Sequence, residues 1–143
     1  MDQEWLLRIE RNLVGRCGSI ARREADWAFN LDGSGSISLP VPWRIVSNGR
    51  IAFADEDDGQ QFGLPAPVNG EILVNQLLLG NAITGITINS ETADLSLQFE
   101  GNVRLDAFNY SAGYEGWQIN LPPESGGMWV IALGGGDVAI FAE

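Results

Sequence analysis

From Asp94 to Gly101 polar and apolar residues alternate in the order Asp-Leu-Ser-Leu-Gln-Phe-Glu-Gly, and Asp26-Trp-Ala-Phe-Asn-Leu-Asp-Gly33 repeats that order 68 positions earlier. Period-2 alternation predicts a half-buried strand, and an acid followed by Gly predicts the turn that closes it. Two stretches have helical spacing instead. Trp5, Leu6, Ile9, Leu13 and Val14 predict a helix over residues 2–14 stopped by Gly15; Ile72, Leu73, Leu77 and Leu78 predict a second over 68–79 stopped by Gly80.

The rest reads as strands and turns. Residues 17–31 form an extended segment interrupted at Arg22, Arg23 and Glu24 by a bulge or exposed turn. Residues 36–46 are its return strand, which Pro40 and Pro42 bend or place at a sheet edge. Asn48-Gly49 predicts a tight hairpin into Arg50 to Ala54, and Gln60 to Leu64 adds a short strand. In the second half, strands are expected over 83–88, 93–99, 103–110, 117–121, 128–133 and 138–141, the last two as a hairpin around Gly134-Gly-Gly136. Trp27 and Trp129 fall in apolar alternation and are expected in the core.

The predicted fold is α+β and mostly antiparallel β, a meander sheet or partly closed barrel with two helices. Helix, Gly stop and Asp-to-Gly strand recur in order, so an internal duplication is expected: one domain over 1–143, as pseudo-repeats 1–65 and 66–143. The chain length suits one core.

Charge changes the picture. All eight cations are Arg; residues 1–65 hold seven of them against ten acids, whereas residues 66–143 hold Arg104 alone against nine. A net charge of −11 repels phosphate backbones and steers basic partners inward, so a basic protein partner is expected and nucleic acid is not. The first residues lack the basic region of a signal peptide and no apolar run is long enough to span a bilayer. These features predict a cytoplasmic protein without a membrane role; homodimer formation through strand edges stays open.

With no His, activation of Ser or Cys by His and His-ligated metal chemistry are excluded within the chain, and the single Cys17 excludes an internal disulfide. No cofactor is implied. Asn30 to Val41 has the oxygen residues and Gly of a calcium loop, but its twelfth position is Val41 where a bidentate Glu is required, and its flanks alternate like strands. No metal site is expected. Gly134-Gly-Gly136 lacks the Lys and hydroxyl of a phosphate loop. Asp26 and Asp94 begin corresponding strands, and a carboxylate-based hydrolase is the enzymatic alternative. The candidate binding residues are the consecutive acids Asp55, Glu56, Asp57 and Asp58, with the loop-edge aromatics Tyr110, Tyr114 and Trp117.

The second half also resembles a group of small bacterial proteins, through Leu79-Gly80, Asp94 to Gly101, Tyr114-Glu-Gly-Trp-Gln-Ile119 and Gly134-Gly-Gly-Asp137. Some of that group look like immunity proteins of toxin systems, which are small, acidic and cytoplasmic. The resemblance implies a non-enzymatic interaction protein, antitoxin-like, with no catalytic residues. A small-ligand binding module with a pocket between the two halves is the alternative from another class.

Overall fold

In the computed structural model, which describes residues 2–142, the chain forms two helices and eleven strands. Helix α1 (Gln3–Leu13) starts where the Asp2 carboxylate accepts from the Glu4 N–H at 2.9 Å, and it buries Ile9 and Leu13. Strands β1 (Gly18–Arg22), β2 (Trp27–Leu31), β3 (Ser36–Leu39), β4 (Trp43–Ser47) and β5 (Arg50–Ala54) complete the first half. Helix α2 (Gly70–Leu78) opens the second half, capped by Asn69 Oδ1 accepting from the Ile72 N–H at 3.1 Å. It is followed by β6 (Ile83–Ile88), β7 (Leu95–Phe99), β8 (Val103–Ala107), β9 (Gln118–Leu121), β10 (Met128–Ala132) and β11 (Val138–Ala142).

The strands form two antiparallel sheets, ordered β1-β2-β3-β9-β10-β11 and β5-β4-β8-β7-β6. Neither sheet closes, so the arrangement is a pair of facing sheets rather than a barrel. Each half contributes a three-strand meander to one sheet and then crosses to the other, so that β3 lies beside β9 and β4 beside β8. Each helix packs on the first strand of the opposite half, α1 on β6 and α2 on β1. Strand β11 has no counterpart in the first half.

The expected single return strand over 36–46 is therefore two strands in different sheets. Pro40 and Pro42 remove ladder donors where the chain crosses between them. Gln60 to Leu64 is a series of turns rather than a strand. The Asn48-Gly49 hairpin forms as its residues require, both with positive φ (51° and 78°).

Alternation fills the space between the sheets. Trp27, Phe29 and Leu31 of β2 face Trp43 and Ile45 of β4 and Leu95, Leu97 and Phe99 of β7 in one buried cluster. Trp27 meets Trp43 edge-on at 5.2 Å and Phe29 meets Phe99 at 5.6 Å. Contacts of this geometry add about 0.5 to 1.5 kcal/mol each beyond burial. These side chains fill the interior where the halves meet.

Trp129 is the exception to its expected place. It lies on the outer face of β10, 43% exposed, against Phe141 of β11.

Candidate functional site

One end of the sheet pair gathers residues 23–26, 40–42, 55–69, 89–94, 108–117 and 133–137, and two of the predicted binding residues meet there. Asp55 and Tyr110 line one cleft of about 280 Å³ with Arg22, Glu24, Asp26, Trp27 and residues 39–42. Asp55 follows β5, Tyr110 follows β8, and Glu24 and Asp26 belong to the β1–β2 turn.

Three carboxylates thus face one lining guanidinium. Arg22 spreads over the Trp27 ring at 5.1 Å and approaches Asp58 at 3.9 Å. Asp26 is held by both arms of Arg23, at 2.7 and 2.6 Å. The hydrogen bond to Asp26 raises the Arg23 pKa above its ordinary value. Asp55 accepts a long hydrogen bond from the Trp43 N–H, at 3.3 Å, and Glu24 is exposed. The cleft is left with an anionic surplus on Glu24 and Asp55, beside the Tyr110 ring, which is 72% exposed.

The four consecutive acids do not act as a set. Asp55 to Asp57 form one 3-10 turn, where Asp57 Oδ2 accepts from the Ala54 N–H at 2.9 Å. Asp58 Oδ1 accepts from the Gly70 N–H at 2.9 Å, which ties the loop to the start of α2. Asp57 and Asp58 are thus committed to local structure, and of the four only Glu56 is exposed. Among the described residues, no group of three acids or thiols converges as a metal site would require.

The expected aromatic face from Tyr110 to Trp117 is not one surface. Tyr114 is 84% exposed but does not line the cleft. Trp117 has to be removed from the binding candidates: it is fully buried and its indole N–H donates to Ala93 O at 2.7 Å. That bond satisfies the indole's one polar group, and it helps fasten the loop over 108–117. Asn109 extends the same attachment, donating from Nδ2 to Thr92 O and Leu133 O at 3.0 Å each. Asp94 completes it, its Oδ1 accepting from the Asn109 N–H at 2.9 Å. Asp26 and Asp94 therefore do different jobs, one bound to Arg23 and the other to backbone.

A second polar cluster, absent from the sequence expectations, lies on the outer face of the five-stranded sheet. Asp106 receives Arg44 Nε at 3.0 Å, Arg104 Nε at 2.9 Å and Ser96 Oγ at 2.9 Å. Burial pushes its pKa up, and the bonds from Arg104, Arg44 and Ser96 outweigh burial to leave it below the usual carboxylate range. These bonds join β4, β7 and β8 on that face.

Sequence reasoning missed Glu24 and Asp26 as cleft members; the only signal was the break in alternation at residues 22–24, which marked a turn. Comparison with known protein families, with curated proteins and with solved structures finds no match to this chain. No helix among the described residues is long and apolar enough to cross a membrane.

Proposed function

We propose that this chain is a non-enzymatic acidic interaction module that binds a basic protein, in the manner of an immunity protein or antitoxin. The observation that supports it is the cleft itself, where Glu24 and Asp55 stand beside the exposed Tyr110 ring. An incoming Arg or Lys would lie against that ring and pair with the two carboxylates. The field of a chain at −11 would speed the encounter. Catalysis has little to draw on, since there is no His and Asp26, Asp94 and Asp106 are each committed to structural partners.

The test is capture of partners on the immobilised protein from a lysate of its source cells, at low and high salt. It is run in parallel with the variant combining Glu24→Gln, Asp55→Asn and Tyr110→Ala. A basic protein retained at low salt, released at high salt and absent from the variant is the expected result. Equal retention on both proteins would refute the cleft as the binding site.

A further inference from the structure

A strand at a sheet edge leaves a row of backbone N–H and C=O groups unused, a template for another strand unless something blocks it. Here four strands lie at edges: β1, β11, β5 and β6. Three are obstructed. The β1 edge meets the Asn75 amide of α2, which accepts from the Ile20 N–H at 2.7 Å and donates to Ile20 O at 2.9 Å. The β6 edge meets the chain after α1, with Gly15 N–H donating to Ile83 O and Ile83 N–H to Arg16 O, both at 2.8 Å. The register of β5 on β4 shifts between Ile45 and Val46, a bulge that breaks its edge, and β5 starts on Arg50.

Strand β11 is different. Its five residues, Val-Ala-Ile-Phe-Ala, pair with β10 in unbroken register and include no charge, Pro or Gly. Among the described residues nothing is bonded to its outer edge. Beside that edge Phe141, 55% exposed, and Trp129 pack with ring centroids 5.5 Å apart, over a groove of about 410 Å³ reaching Leu121, Pro122 and Met128.

Charge selects the occupant. Arg104 is the last cation of the chain; Arg8 donates to Gly126 O and Arg11 and Arg16 lie near Glu124, whereas Glu115 and Asp137 have no ion-pair partner among the described residues. Glu115 is linked to the aromatic pair, since Gln118 donates to it at 3.3 Å and accepts from the Trp129 indole at 3.1 Å. We infer that β11 receives an extended, arginine-bearing segment of the basic partner as an added antiparallel or parallel strand. Its backbone pairs with the β11 edge, and an Arg on its outer face lies over Trp129 and Phe141. The planar guanidinium suits such a stack better than an ammonium. A second copy of this chain is the poorer occupant, because each copy carries a net charge of −11 and none of its eight Arg lies after residue 104.

This inference rests on the basic-partner reading and adds a second contact surface to it. The probe is a short fluorescent peptide of alternating Val and Arg, compared by anisotropy with a Val and Glu peptide and with a fully N-methylated Val and Arg peptide. Hydrogen exchange reports on the amides of residues 138–142. The expected result is tightest binding of the Val and Arg peptide, with slowed exchange at β11 for that peptide alone. Phe141→Lys and, separately, Phe141→Ser should each weaken it about tenfold, corresponding to about 1.4 kcal/mol. Glu24→Gln with Asp55→Asn should remove the cleft-bound fraction and leave the slowed exchange at β11 in place. Binding abolished by the cleft variant but indifferent to both Phe141 variants and to N-methylation would overturn the strand-addition inference while leaving the basic-partner reading standing. No binding of any arginine peptide, at low salt or high, would overturn both. Concentration-dependent dimerisation abolished by Phe141→Lys would overturn the inference in favour of a second copy.

Discussion

Replacing Asn75 by Ala tests whether a single side-chain amide closes the β1 edge. Asn75 makes two hydrogen bonds to the backbone of Ile20, which is itself 2% exposed. Each bond contributes about 0.5 to 1.5 kcal/mol net, so their joint loss costs about 1 to 3 kcal/mol. Ala is the better helix former by about 0.6 kcal/mol, which offsets part of that within α2. The expected net destabilisation is about 0.5 to 2.5 kcal/mol by urea unfolding, with a matching fall in midpoint at unchanged slope. Hydrogen exchange gives the sharper readout. The Ile20 amide should lose protection, while the amides of β7 and β8 at the middle of the other sheet follow only the global change. Unchanged exchange at Ile20 together with unchanged stability would refute the claim that this amide guards the edge.

Three further outcomes follow from the same geometry. Asp106→Asn should destabilise the protein by about 1 to 3 kcal/mol at neutral pH, a figure reduced for the 35% and 43% exposure of the Arg44 and Arg104 side chains. Because the Asp106 pKa is lowered on folding, its contribution is complete above the ordinary carboxylate value of about 4 and is lost as pH falls through the lower folded value, so the acid limb of a stability profile should flatten in the variant. Gly70→Ala should cost about 1 to 3 kcal/mol in thermal unfolding, since the new Cβ would stand 2.4 Å from the Phe53 ring and 2.9 Å from Trp27. Trp117→Phe should cost about 2 to 4 kcal/mol, because Ala93 O loses its donor and the smaller ring underfills the site; faster exchange over 108–117 would accompany the loss, and a shift under about 0.5 kcal/mol would refute the fastening role.

What the sequence by itself determined was local. Strict alternation at Asp94 to Gly101, helical spacing before Gly15 and Gly80, and the Asn48-Gly49 turn each specify backbone through neighbouring residues, and those elements form where expected. The absence of cations after Arg104 was equally legible, because charge is a count. Only the tertiary structure decided which sheet each strand joined, since pairing β3 with β9 and β4 with β8 rests on contacts between distant residues. The same limit exchanged the places of two tryptophans. Met128-Trp-Val-Ile-Ala132 is apolar on both faces, so its pattern cannot say which side is inward, and Trp129 faces out. Trp117 adjoins a loop in sequence, yet the loop over 89–94 folds across it and Ala93 O accepts from its indole N–H. The cleft is decided in the same way: Glu24, Asp55 and Tyr110 are far apart along the chain and become neighbours only when both halves pack around one core.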